Sequence, residues 1–303
     1  MNILAPIVLF VYNRPWHTEQ TVNALLENKL SSESDIIIYS DAAKNDDALN
    51  AVNEVRNYIK TINGFKKISI IEREKNFGLA NSIIDGVTNV VNKYGKIIVL
   101  EDDLLTSPYF LTYMNDALEL YANDDRVISV HGYVYPIKQE LPEAFFLPGA
   151  DCWGWATWSR GWSNFNSNGQ FLLDQLNRRK MSRAFDFNRS YPFSKMLKEQ
   201  IEGINDSWAV RWYASAFLAG KLTLYPGRSL VHNIGNDNSG THCTESIGFD
   251  ARLSETPIDL ENIVVEISHQ SRLAFVTFFK DSKVGLLRKL MRKFRVLLKS
   301  KTI

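Results

Sequence analysis

The chain has 303 residues, 45% of them hydrophobic and 12% aromatic, and a formal net charge of +1. That usage excludes disordered, collagen-like and coiled-coil proteins, and apolar runs such as 6–12 and 97–100 fall far short of the roughly 20 residues a membrane-spanning helix needs. Eight basic residues and no acid between 283 and 303 leave a tail at +8 and a body at −7, and so acidic a body argues against nucleic acid as a partner.

The N-terminus lacks a basic leader and a small-residue cleavage site, so it reads as a first strand and not as a signal peptide. Cys152 and Cys243 are too few for a disulfide framework and have no zinc spacing, which fits a reducing cytoplasm. Along the chain, 5–12 reads as a strand, 16–28 as a helix, 35–40 as a strand, 46–62 as a helix and 67–72 as a strand. Leu79, Ile83, Val87 and Val91 recur every fourth residue as one face of a helix, and 96–100 is a fully apolar strand. Strands alternating with helices predict βαβ units and a mostly parallel α/β sheet flanked by helices. Ligands of such sheets bind beyond the carboxyl ends of the strands.

The residues at those ends are Asn13-Arg14, Asp41, 76–78 and Glu101-Asp102-Asp103, all polar or charged directly after apolar runs. Any one alone reads as a loop residue or helix cap; four on one sheet edge predict a ligand crevice. No GxGxxG follows the first strand and no Walker A sequence occurs. Diphosphate charge would then be met by a divalent cation, Mn2+ or Mg2+, on carboxylate oxygens. Three consecutive acids repel one another without such a counter-charge. Strand alternation predicts Glu101 and Asp103 on one side and Asp102 on the other, although a solvated acidic turn also fits.

The segments 10–15 (Phe-Val-Tyr-Asn-Arg-Pro), Ser40-Asp41, 73–80 and 101–104 resemble nucleotide-diphospho-sugar glycosyltransferases of the GT-A fold, family 2 in the broad sense. Glu-Asp-Asp-Leu followed by Ser-Pro-Tyr-Phe, the later Trp-Gly-Trp, and Asn205-Asp206-Ser207-Trp208 are similar to the N-acetylglucosaminyltransferase I type. The likeness covers about 4–245. It implies a GT-A, Rossmann-like sheet with a nucleotide-sugar half at 1–125, an acceptor half at 126–245, an extension at 246–282 and a basic tail at 283–303. It also implies that Tyr12, Asn13, Arg14, Asp41, Asn76, Gly78, Glu101 and Asp102 line the nucleotide-sugar pocket. By the same likeness Asp103 would ligate the metal, and Asp206 would be the base of an inverting transfer. Ser207 departs from that family's Asp-Asp-Trp, so the base rests on one carboxylate.

Read from the residues, 207–219 is a helix stopped by Gly220, so Asp206 is equally a natural N-cap. Four of the seven tryptophans fall within 153–162. Trp153, Trp155 and Trp208, with Asp151, suit a wall for a donor or acceptor sugar, or a buried corner. His232 and His242 flank a polar loop, and His232, just after a short strand at 229–231, is the preferred second metal ligand, though a lone histidine is commonly structural. His17 and His131 carry no comparable context.

In the tail, Leu287, Leu290, Met291, Phe294, Leu297 and Leu298 oppose Arg288, Arg292, Arg295 and Lys299. This is a basic amphipathic helix suited to an anionic membrane surface through 283–301, to a partner or to the body. The expected function is transfer of a hexose or N-acetylhexosamine from a UDP-sugar to a glycan or lipid-linked acceptor. The setting would be surface polysaccharide (lipopolysaccharide) synthesis, with the enzyme cytoplasmic and peripheral on the inner face of the membrane. The rival readings are a sugar-phosphate nucleotidyltransferase and a non-catalytic carbohydrate-binding or membrane scaffold.

Overall fold

The computed structural model describes residues 3–235, 237 and 248–282. The first half runs β1 (Ile7–Val11), α1 (Pro15–Leu26), β2 (Asp35–Ser40), α2 (Asp46–Ile59), β3 (Lys67–Glu72), α3 (Leu79–Tyr94), β4 (Lys96–Glu101), β5 (Leu104–Thr106) and α4 (Phe110–Leu120). The second half continues with β6 (Val127–His131), β7 (Ala144–Pro148), β8 (Trp155–Trp158), α5 (Ser159–Trp162), α6 (Gly169–Arg178), α7 (Ser182–Phe185), α8 (Phe193–Ile201), α9 (Trp208–Leu218), β9 (Leu222–Pro226) and β10 (Val231–Asn233). Residues 269–282 are helical, and no described helix is long and apolar enough to cross a membrane.

Eight strands form one sheet in the order β3-β2-β1-β4-β8-β6-β9-β7, while β5 and β10 pair apart from it. The mostly parallel α/β sheet is as the sequence predicts. From the pairings, six strands point one way and only β8 and β7 oppose them. Both halves of the chain thus share a single sheet, joined where β4 meets β8.

Period-two burial explains the layers. Ile7, Leu9 and Val11 face a core with Val22, Leu25, Phe110 and Met114 from α1 and α4. Val8 and Phe10 face Ile83 and Val87 of α3 and Trp212 of α9. Each such side chain contributes about 1.5–3 kcal/mol by leaving water. A third cluster joins Phe145, Tyr213 and Phe217 to Phe275 and Phe279 of the 269–282 helix. Because β2 and β3 lie to one side of β1 and β4 to the other, the topology reverses between β1 and β4. Crevices in open α/β sheets form at such a switch point.

Candidate active site

Two strand ends meet at the switch point. Arg14, three residues after β1, reaches across to the carboxylates that follow β4. Its Nη2 bonds Asp102 Oδ1 and, at 2.7 Å, Asp103 Oδ2. The Tyr12 amide donates to Asp102 Oδ2 at 3.3 Å, and Thr21 Oγ1 donates to the Asp102 carbonyl at 3.0 Å. Asp102 and Asp103 therefore turn to the same cation, and the predicted strand alternation does not hold. The reason is local: β4 ends at Glu101, and 102–103 form a turn.

Charge is crowded here. Burial, then Asp103 and Asp102, push the Glu101 carboxyl up to about 8, with Arg14 opposing. Burial raises Asp102 as well, against the pull of Arg14. Burial disfavours the Arg14 cation, but its two carboxylate partners outweigh that and raise its pKa.

On the β1–β3 side, the Asp41 carboxylate is held by backbone. It accepts the Phe77 amide at 2.9 Å, the Gly78 amide at 2.9 Å, the Ala42 amide at 2.9 Å and Asn76 Nδ2 at 3.1 Å. Phe77 and Gly78 carry orphan amides at the start of α3, where an acidic side chain is favoured. Gly78 adopts φ +72°, a conformation that costs any residue with a Cβ. The Tyr12 hydroxyl accepts the Lys44 amide at 3.0 Å, and Asn13 is half-buried beside it. Tyr12, Asn13, Asp41, Asn76 and Gly78 are thus one wall, braced from within.

On the other side the crevice is aromatic. Trp153 is half-buried and packs edge-on against Tyr133 at 4.7 Å. Its amide donates to His131 Nε2 at 3.1 Å. Trp155 and Trp208, expected at a sugar wall, are instead core: they are 0% and 3% exposed and stack at 5.6 Å. Trp162 and Trp212 pack on Trp155 at 5.8 Å each, so neither ring offers a face to a sugar. Asp151 keeps 28% of its side chain exposed and lies 4.0 Å from His131 Nε2. Burial, followed by Asp151, Glu101 and Asp103, pushes the Cys152 thiol well up. It is a protonated thiol beside the acids, not a nucleophile.

Asp206 is not the helix cap. Ser207 occupies that position and accepts the Val210 amide at 3.2 Å. Asp206 is left 61% exposed, paired with Arg211 at 3.7 Å. Trp208, two residues on, packs on Trp155, which pairs with Val99 of β4 and His131 of β6. That register puts the start of α9 at the same sheet edge as the acid triplet.

His232 lies within β10, opposite Leu105, and not after a strand at 229–231. Its Nδ1 faces the Ala251 carbonyl at 3.0 Å, an acceptor that requires hydrogen on Nδ1. It lines an open groove with Pro108, Tyr109 and 251–255. It does not join the acids: among the described residues no three His, Cys, Asp or Glu side chains converge on a metal position. His242 and the basic tail lie outside the described residues. Hard divalent ions need no such cage, since one or two carboxylates plus substrate phosphates suffice. The all-oxygen set of Asp103 and Glu101, with more negative charge than Arg14 offsets, fits such an ion.

Sequence reasoning missed His131, which is fully buried and holds the 151–154 loop through the Trp153 amide. It ends the apolar run 127–131, the same signal that marked the other strand ends. His17 was also passed over; its Nε2 lies 3.1 Å from Asp237 Oδ2.

A mostly parallel sheet with an acid triplet at its switch point and a braced loop across from it makes a crevice of the kind that binds nucleotides. The family model for glycosyl transferase family 2 matches residues 7–182. The chain belongs to that family and is a nucleotide-sugar glycosyltransferase. No curated protein sequence matches it. Among solved structures it is similar to the mannosyltransferase PcManGT from Pyrobaculum calidifontis in complex with GDP-Man and Mn2+. That match has 10% identity and a TM-score of 0.39, covering 72% of this chain and 71% of that one. It is also similar to residues 1–349 of S. aureus TarS, at 10% identity and TM-score 0.40, covering 75% of this chain and 60% of that one. The UDP-glucose pyrophosphorylase complexed with UDP-glucose matches at 12% identity and TM-score 0.35, covering 74% of this chain and 90% of that one. At these scores the donors and the metal belong to those proteins alone.

Proposed function

We propose that the chain is an inverting, metal-dependent transferase that moves a hexose or N-acetylhexosamine from a UDP-sugar to a glycan or lipid-linked oligosaccharide. The observation that carries this is the acid triplet at the β1/β4 switch point, facing the Asp41–Gly78 wall. Asp103, with Glu101 beside it, would hold Mn2+ or Mg2+. The ion would neutralise the diphosphate as it leaves, so no second acid is required. Tyr12, Asn13, Arg14, Asp41, Asn76, Gly78 and Asp102 would bound the nucleotide and ribose.

Asp206 serves as the base: exposed and not engaged in capping, its carboxylate can take the acceptor hydroxyl proton as that oxygen attacks the anomeric carbon. Asp151 and Trp153 supply a carboxylate and a ring face for the acceptor sugar, with Tyr133 edge-on to the Trp153 ring. A lipid-linked acceptor and the inner face of the membrane, in surface polysaccharide synthesis, are supported by the charge pattern of 283–301.

Isothermal titration of UDP with Mn2+, and then with excess chelator, tests the reading. Metal-dependent binding is expected, and loss of it in Asp103→Ala. Binding that ignores both chelator and substitution removes the metal assignment. Asp206→Asn is expected to keep UDP binding and lose roughly 100-fold or more in turnover; full turnover would refute the base.

A further inference from the structure

Arg14 does more than line a pocket. One nitrogen, Nη2, is shared by Asp102 and Asp103, while Nη1 is buried with no hydrogen-bond partner. The chain after β10 closes over this pair. The Ile234 amide donates to the Asp103 carbonyl at 2.9 Å, and the Gly235 amide donates to Asn233 Oδ1 at 2.8 Å. A Cβ on Gly235 would lie 2.1 Å from Asp103 Oδ2 and 3.0 Å from Arg14 Nη1. The His17–Asp237 contact at 3.1 Å fastens the same stretch to α1. Asp103 Oδ2 is therefore enclosed by a guanidinium and a backbone, and a divalent ion with its water shell has no place on that oxygen in this arrangement.

We infer that Arg14 is a resident cation on Asp102 and Asp103 which competes with the divalent ion for Asp103, and which is released to the diphosphate when the donor binds. The proposal rests on the metal-dependent reading above. Two features favour exchange over a fixed structural pair. The guanidinium meets both carboxylates through one nitrogen, so the charge-assisted bonds it gives up on leaving are replaced by those to the diphosphate, and its unpartnered Nη1 gains an acceptor when phosphate oxygens arrive. Arginine pairs bidentately with phosphate, which the present geometry leaves unused. Gly235 is the residue without a side chain at the closest approach, so its backbone can lie directly on the pair. In this account Arg14 offsets part of the charge of the acids, and the ion enters with the nucleotide and not before it.

The experiment is titration of Mn2+ alone, and of Mn2+ with UDP, into wild type, Arg14→Gln, Arg14→Lys and Asp103→Asn, followed by calorimetry or Mn2+ paramagnetic resonance. Wild type is expected to bind Mn2+ weakly until UDP is added. Arg14→Gln is expected to bind Mn2+ alone about tenfold more tightly, the worth of one charge-assisted pair, and to gain less from UDP. Arg14→Lys, a shorter side chain whose ammonium reaches the two carboxylates less closely, is expected to tighten Mn2+ binding by a smaller factor, and it serves if Arg14→Gln does not fold. Unchanged or weaker Mn2+ binding in the folded Arg14 variants overturns the proposal. If Asp103→Asn binds Mn2+ as wild type does, the metal reading itself fails, a separate outcome.

Discussion

The two sides of the crevice are built on different principles. From β1 to β3 the wall is polar and secured by backbone amides, with Asp41 accepting from Phe77, Gly78 and Ala42. On the β8 side it is aromatic and secured by packing, with Trp153 edge-on to Tyr133 and Phe249, and with Trp155, Trp162, Trp208 and Trp212 stacked in a separate core cluster. Hydrogen bonds fix a loop at one geometry. Packed rings fix a wall but leave its outer face to be set by whichever side chains remain exposed.

The largest test is Trp155→Ala. Truncating a fully buried indole that supports three others should cost about 3–5 kcal/mol in urea unfolding. Trp153→Ala should cost far less stability and weaken acceptor use instead; equal losses at both positions would erase the distinction between core and wall. On the polar side, Asp41→Ala leaves the Phe77 and Gly78 amides before α3 unpaired. It should cost about 1–2 kcal/mol, together with nucleotide affinity measured by titration. Gly78→Ala, at φ +72° with open space around the added carbon, should cost about 1–2 kcal/mol through backbone strain alone.

The smallest effect is a pH dependence on the aromatic side. Burial lowers the His131 pKa, opposed by Asp151. The unfolded chain, with histidine near 6.5, then binds more protons than the folded one at acid pH. Stability should fall as pH drops below about 6.5 and level off once the folded-state pKa is passed. In His131→Gln that component should disappear from the unfolding profile. An unchanged profile would show that the 151–154 loop does not depend on a neutral ring.

The sequence by itself determined the alternation of β1–β4 with their helices, because short unbroken apolar runs mark strands buried on both faces and a period-four pattern marks a helix buried on one. Strands 35–40 and 67–72 fall where predicted, and the polar residues ending each apolar run lie on one edge. It also marked the acid triplet, since three adjacent carboxylates demand a counter-charge wherever they sit. Tertiary structure decided which cation answers them: Arg14 is far away along the chain and meets Asp102 and Asp103 only because β1 and β4 are neighbours. It decided too that Ser207 and not Asp206 caps α9, a difference of one residue set by backbone dihedrals. Finally, it decided which tryptophans are core. Aromatic composition is the same for a buried stack and an open wall, and only the neighbours that cover a ring distinguish them.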